Sequence, residues 1–418
     1  MLLFGALLAG CSGDPSTVRI GVLADCVGFL RSLQDVALAG ASIPLLERGA
    51  TLLGPTASEG VSAATVAGHP VELLNGCIEG GEYSSIIEQA RLLVEVDHVD
   101  VVVGGTYPGD GLALREVARK HPDVTFVVSN PGDREVTATD AAPNIFRFAA
   151  DITQQVAGLG TYAFRDLGWR KALVIADNNE VGWGGAAGFL AEFCGLGGTA
   201  TQVPMSPDRQ PPDVPDADGA AVFFAPFGQT PDTLTAFAGG RAPLKSSLLL
   251  GPGVWNDLNG LAAMPQAMKD IVTVVPTGGT DLTHAAGERY RAAAAEYFPG
   301  FTATDAMQPF VVQNHDAVEA VMIALGRTGG TVGAGGADLR QALGSLDVEL
   351  VSGSVRLDVN RAAVVSTSLA RLGDIGSATF IRTIPDVDQT LGGTLPASYE
   401  PSFGEQPCVA GAVAPWAR

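Results

Sequence analysis

Short, almost continuous apolar runs alternate along this chain with longer stretches in which apolar residues recur every three or four positions. Val18-Arg19-Ile20-Gly21-Val22-Leu23-Ala24 is apolar nearly throughout and predicts a strand buried on both faces. Ser32 to Arg48 then carries helical spacing through Leu33, Val36, Ala37, Ile43 and Leu46, with Gly40 and Pro44 inside it. The alternation repeats as strand Val71 to Leu74, helix Ser84 to Val96, strand Val99 to Val103, helix Gly111 to Lys120 and strand Val124 to Val128. Past Phe146-Arg147-Phe148 it begins again: helix Ile152 to Asp166, strand Lys171 to Ala176, helix Gly184 to Phe193, strand Ala220 to Phe224, helix Pro231 to Ala238, and strands Ser246 to Leu250 and Ile271 to Val275. Strands alternating with helices form parallel sheets, so the pattern predicts an α/β chain of two doubly wound, Rossmann-like lobes. Helices Gly287 to Tyr297 and Asp305 to Arg327 follow, the second with Phe310, Val311, Val318, Val321, Met322 and Leu325 on one broad apolar stripe. A Gly-rich connector, Gly329 to Gly336, leads to a short helix, Ala337 to Leu346, and then to strand-like pieces at Ser354 to Leu357, Thr367 to Arg371 and Thr379 to Thr383.

Composition agrees with this picture and narrows the partners. The 418 residues are 46% hydrophobic and 17% charged, with 53 Gly and 26 Pro, which suits many tight strand-to-helix turns. A formal charge of −20 argues against nucleic acid and against an anionic membrane surface, since both demand a basic face.

The first residues assign a compartment. Leu2 to Ala9 is apolar and ends in Leu8-Ala9-Gly10-Cys11, a lipobox whose processing would remove residues 1–10 and leave Cys11 as the acylated first residue of an exported protein. No Lys or Arg precedes the run, unlike an ordinary signal peptide, and a frayed apolar terminus is the competing reading. Spanning a bilayer takes about 20 apolar residues, so the segment predicts a tether and not an embedded helix.

Motifs for catalysis are missing from the sequence. Gly182-x-Gly184-x-x-x-Gly188 has the wrong spacing for a dinucleotide fingerprint, and neither a phosphate-binding Gly-x-x-x-x-Gly-Lys loop nor a Gly-x-Ser-x-Gly elbow occurs. The five histidines lack metal-ligand spacing. The sequence therefore predicts a binding protein without cofactor or metal.

Several local matches, in order, resemble the type I periplasmic solute-binding proteins of ABC importers, in the branched-chain amino acid group. They are Arg19-Ile20-Gly21-Val22-Leu23; Val102-Val103-Gly104-Gly105-Thr106; Asn144-Ile145-Phe146-Arg147; Gly182-Trp183-Gly184; Leu250-Gly251-Pro252-Gly253; Asp316-Ala317-Val318-Glu319-Ala320; and Ser352-Gly353-Ser354-Val355-Arg356-Leu357-Asp358. The likeness runs from about Val18 to about Leu372. It implies a three-segment hinge, with crossings near Phe148, Thr277 and Gly353. Lobe I would comprise 17–147 and 278–352, and lobe II 148–277 and 353–418 with the tail. It also implies a monomer that captures a small polar ligand, an amino acid or a related compound, and hands it to an importer permease. A sensor acting on a membrane receptor with the same lobes is the alternative.

In open α/β sheets ligands sit beyond the carboxyl ends of the strands, where loops and helix N-termini present free amides. Gly104 to Asp110 leaves a strand and opens a helix, so its amides and the Thr106 hydroxyl are candidates to receive a carboxylate, with Tyr107 beside them; for Asp110 a capping role is the favoured reading. The resemblance makes Ser129, Asn130 and Gly132 cleft-lining, against a plain Asn-Pro turn. It also places Asp151 where an acid can hold an α-amino group, against a helix N-cap. The family's aromatic before the Gly-x-Gly turn is Val181 here, and the acid after Gly-Pro is Gly253, with Asp257 displaced from it. Tyr107, Trp183, Phe227 and Trp255 fall at expected cleft positions in a chain only 6% aromatic, which predicts flat apolar walls.

Five cysteines become four if Cys11 carries lipid, and four allow three pairings. Cys26 and Cys77 follow the first two strands, which are neighbours in a sheet of order 2-1-3-4-5, so they are the first choice for a bridge. That leaves Cys194 and Cys408 to pin the tail to the second lobe, with four buried free thiols as the alternative.

Overall fold

The computed structural model describes residues 17–28, 31–79, 81–107, 109–129, 134–204, 221–225, 248–251, 269–275, 284–301, 309–374, 378–396, 398–400, 408 and 412–418. The first sheet is built from β1 (Val18–Asp25), β2 (Ala64–Val66), β3 (His69–Ile78), β4 (Val101–Gly104), β5 (Thr125–Val128) and β6 (Ile145–Arg147), in the order β2-β3-β1-β4-β5-β6. All pairs are parallel except β2 with β3. Leaving aside that short antiparallel edge, this is the 2-1-3-4-5 order expected of a doubly wound lobe. Every residue of β4 and β5 is buried, as strands covered by helices on both faces require.

The second sheet repeats the order. Its parallel part comprises β7 (Lys171–Ala176), β8 (Thr199–Pro204), β9 (Ala221–Ala225), β10 (Leu248–Leu250) and β11 (Val272–Val275), arranged β11-β10-β9-β7-β8. An antiparallel extension continues from β11: β14 (Ala363–Leu372) pairs with it, and β12 (Asp347–Leu350), β13 (Gly353–Leu357) and β15 (Ala378–Val387) complete the sheet. The short strands β2 and β12 and the edge strand β8 carry little of the continuous apolar signal that marks the central strands, and periodicity alone passes over them.

Between the parallel strands and that extension, helices return to the first lobe, among them the expected short one, Ala337–Gly344, which buries Leu339 and Leu343. Helix Pro309–Arg327 buries Phe310, Val311, Val318, Val321, Met322 and Leu325, the stripe expected from sequence, and lies against helix Gln34–Leu46. Their backbones meet at Gly40, where a Cβ would stand 2.1 Å from the Val311 carbonyl oxygen. Helix Ala285–Tyr297 packs into the same core through Tyr290, Ala293 and Ala294.

One expected helix is broken. Ile152 to Asp166 forms two pieces, Ile152–Gln155 and Leu159–Arg165, because Gly158 adopts φ +87° between them. The break leaves a second helix N-terminus to satisfy. Glu192, buried on helix Glu180–Gly195, supplies the acceptors: Gly158 N donates to Oε1 (2.7 Å), and Thr161 N and Oγ1 both donate to Oε2 (2.9 Å each).

The bridge expected from the strand order and the one left by elimination are both present. Cys26 and Cys77 are joined with Cα atoms 5.3 Å apart, and Cys194 and Cys408 with Cα atoms 5.0 Å apart. The first follows from the β1–β3 register, which sets Ala24 beside Cys77.

Candidate ligand-binding cleft

The carboxyl ends of β4 and β5 lie side by side, with Gly104 opposite Val128, and they bring Thr106 and Ser129 to one edge of the first sheet. Thr106 is buried there, and Tyr107 is half-buried with its ring over Gly81, where a Cβ would stand 3.1 Å from the ring. The Ser129 amide donates to the Gly104 carbonyl (3.1 Å). Its hydroxyl is buried and makes no hydrogen bond to the described residues. A buried hydroxyl without a partner forfeits its solvation, so a native site of this kind calls for an acceptor or donor from outside.

Asp110 corrects the expectation that the loop's amides are open to a ligand. Its carboxylate, 1% exposed, accepts from Thr106 N and Tyr107 N (2.8 Å each) through Oδ2 and from Gly81 N (3.1 Å) through Oδ1. Those two loop amides are therefore spent on the protein itself. The helix cap expected of Asp110 is not seen: Gly109 holds the N-cap position, and the Asp110 carboxylate turns back to the preceding loop. The clamp joins the loop after β3 to the loop after β4. Burial pushes the Asp110 carboxyl up to about 6, aided by the nearby Asp25 carboxylate and opposed by the three amides.

That shift has a stability consequence. The folded state holds this proton more tightly than the unfolded chain, so stability falls as pH rises from about 4 to about 6 and is level above, by about 3 kcal/mol in all. Asp110→Asn should flatten that part of the curve, measured as urea-unfolding free energy against pH; an unchanged slope in the variant would show that other groups produce it.

Asp151 sits at the first crossing and is fully engaged. It is the N-cap of helix Ile152–Gln155, where Gln154 N donates to Oδ1 (2.8 Å) and the Gln154 side chain accepts from Asp151 N (3.0 Å), a capping box. Its Oδ2 accepts from Arg147 Nη2 (3.1 Å), and both side chains are 0% exposed. Arg147 also donates to the Ala149 carbonyl (2.7 Å) and Gln154 Oε1 (3.1 Å). The cap weighed against an amino-group contact is thus the arrangement seen. Two chain segments run together here, since Arg147 N donates to the Arg361 carbonyl (3.0 Å) and Arg361 Nε returns a bond to the Ile145 carbonyl (3.1 Å). Sequence reasoning missed Arg147 as a structural residue, although a lone cation inside Ile145-Phe146-Arg147-Phe148 is a visible signal that something must neutralise it.

Trp183 lies in the first turn of helix Glu180–Gly195, half-buried, with its indole N–H donated to Asn178 Oδ1 (3.1 Å). The next residue, Gly184, packs on Ile152, where a Cβ would stand 3.2 Å from that side chain, so Trp183 borders the same crossing as Asp151. Asn130, Gly132, Phe227, Trp255, Asp257 and Cys11 lie outside the described residues, as do the helix Pro231 to Ala238 and the crossing near Thr277. Among the described residues, no cluster of three or more His, Cys, Asp or Glu could hold a metal ion, and no helix is long and apolar enough to cross a membrane.

The same arrangement of lobes occurs in known structures. An ABC transporter substrate-binding protein from Sphaerobacter thermophilus superposes with a TM-score of 0.73 at 22% identity, over 90% of this chain and 99% of that one. A solute-binding protein of an ABC transporter from Rhodopseudomonas palustris BisB5, in complex with 3,4-dihydroxybenzoic acid, gives 0.72 at 21% identity over 89% and 98%. A leucine-binding protein from Thermotoga maritima gives 0.68 at 17% over 88% and 99%. At these identities the likeness establishes the type I fold. No curated protein sequence matches the chain significantly. The model of the family described as periplasmic binding protein does match, across residues 17–374, and with two doubly wound sheets of like order it shows that the chain belongs to the periplasmic binding protein family.

Proposed function

We propose that this protein is an extracytoplasmic, lipid-anchored receptor that binds a small carboxylate-bearing solute, an amino acid or a related acid, between its lobes and delivers it unchanged to an ABC importer. The observation that carries the reading is Ser129: a buried hydroxyl without a partner among the described residues, at the carboxyl end of β5, the strand next to the one that Thr106 follows. A hydroxyl donates well to a carboxylate, and such a charge-assisted bond contributes about 1.5–3 kcal/mol. Asp151 holds Arg147 and its own helix cap, so it serves the hinge and the solute's amino group, if it has one, must be met elsewhere. Tyr107 and Trp183, with Phe227 and Trp255 from the second lobe, supply flat walls, and Asn130, Gly132 and Asp257 further polar contacts. Structural neighbours that carry 3,4-dihydroxybenzoate or bind leucine support a site of this size and chemistry. Cys11, once acylated, keeps the receptor beside its permease, and the lobes act as a monomer.

Mass spectrometry of small molecules released from the purified protein identifies the solute, and calorimetry with that compound then measures the site. Ser129→Ala should weaken binding by roughly tenfold or more, the loss of one charge-assisted hydrogen bond. An unchanged Kd would remove Ser129 from the site and the reading with it.

A further inference from the structure

Everything after residue 374 lies beyond the stretch matched by the family model, yet it is tied into both lobes. The chain leaves the second sheet at the end of β15 and crosses to the first lobe. There Arg134, 1% exposed and next to helix Glu135–Ala138, donates through Nε to the Tyr399 carbonyl (2.9 Å), through Nη2 to the Pro396 carbonyl (2.7 Å) and through Nη1 to the Gln389 carbonyl. Gln389 Nε2 donates back to Thr137 Oγ1 (2.7 Å), and Thr139 Oγ1 donates to Glu400 Oε1 (3.3 Å). The chain then returns to the second lobe. Cys408 is bonded to Cys194, Trp416 Nε1 donates to Glu192 Oε1 (2.9 Å), and Gly195 lies so close to the Ala412 carbonyl that a Cβ would stand 2.2 Å from it. Leu391, Leu395, Tyr399 and Trp416 join the apolar cluster that holds Phe148 and Ala150 of the first crossing.

We propose that this C-terminal segment is a strap: a fourth link between the lobes, anchored to the second lobe at both ends and to the first in its middle, which restrains how far the lobes separate. One anchor is the β14–β15 pairing and the other the Cys194–Cys408 bond, so the middle of the strap cannot follow the first lobe freely. Moving the first lobe away strips the buried Arg134 guanidinium of three carbonyl acceptors, and a buried cation that loses acceptors is strongly disfavoured. The disulfide makes the restraint depend on an oxidising compartment, because without it the far anchor loses its covalent bond and keeps, among the described residues, the Trp416 hydrogen bond and the non-covalent packing of residues 412–418. The proposal concerns the ligand-free protein and is independent of which solute the cleft binds.

The test measures lobe separation in the full chain without ligand. Spin labels are attached through ketone-bearing residues at positions 88 and 171, exposed sites on the first and second lobe that leave the native cysteines untouched. In the unaltered protein the distance distribution should be narrow. In Arg134→Met, and separately in the double variant Cys194→Ala with Cys408→Ala, it should broaden towards longer distances. Distributions that coincide with that of the unaltered protein overturn the strap, and broadening in Arg134→Met alone overturns the role of the disulfide anchor and so the proposal as stated. Should Arg134→Met fail to fold, the cysteine variant decides: native near-ultraviolet circular dichroism with an unshifted distribution overturns it.

Discussion

Asp151→Ala should destabilise the folded protein by about 3–5 kcal/mol, the range seen when one partner of a buried ion pair is removed. Arg147 and Asp151 are both fully buried, 3.1 Å apart, on the first passage between the lobes. Alanine at 151 removes that carboxylate; the acceptors that remain include the Ala149 carbonyl, Gln154 Oε1 and the more distant Thr137 hydroxyl (3.4 Å), all neutral, and the helix cap, worth about 1 kcal/mol by itself, is lost as well. Asp151→Asn retains a side-chain oxygen that can accept from Gln154 N and loses the charge, so it should fall between alanine and the unaltered protein. Urea unfolding measures all three. A loss below about 1 kcal/mol for alanine would mean that Arg147 is neutralised by other means, and would return Asp151 to the candidates for ligand contact.

Gly40→Ala is the second large effect. A methyl group at this position would stand 2.1 Å from the Val311 oxygen and 2.9 Å from its carbonyl carbon, both backbone atoms that cannot rotate away. Helices Gln34–Leu46 and Pro309–Arg327 must then separate, loosening a core shared by Leu38, Ala41, Val312 and Val318, and over-packing of this kind costs about 1–3 kcal/mol or more. Gly326→Ala, in the last turn of the same long helix, meets nothing within 4 Å and should be neutral or stabilising by up to about 1 kcal/mol through helix propensity. Thermal unfolding of the pair separates the two cases: equal midpoints would show that the helices do not touch at Gly40.

The architecture was legible because its causes are local. A strand covered on both faces must be apolar along its whole length, so β1, β4, β5 and β7 stand out from the sequence, and helices between parallel strands admit few topologies. That topology in turn set β1 beside β3, which made Cys26 and Cys77 the natural pair. The stripe from Phe310 to Leu325 announced a buried helix for the same reason, although not the helix against which it lies.

The candidate site was legible only in outline. Thr106, Tyr107, Ser129 and Trp183 could be placed at strand ends and helix starts, because position in a doubly wound lobe follows from order along the chain. Whether a polar atom there is free or spent depends on residues far away in sequence. Asp110 closes two amides of the loop expected to hold a ligand by reaching also to Gly81, and Asp151 is matched by Arg147 through a folded crossing. Glu192 reads as one charge in an apolar helix, and only the break at Gly158 explains its burial.

By itself, then, the sequence determined the class of fold, the strand order, the disulfide between the ends of β1 and β3 and the chain positions of the candidate cleft loops, all of which follow from hydrophobic period and connection rules. The tertiary structure alone decided which of those loops still offers a hydrogen bond, how the buried charges are neutralised, and that the tail returns to clasp the first lobe. Hydrophobic burial is non-directional and averages over many residues, so a pattern suffices to read it. Hydrogen bonds and ion pairs act over about 3 Å between single atoms, and only a folded backbone brings such atoms that close.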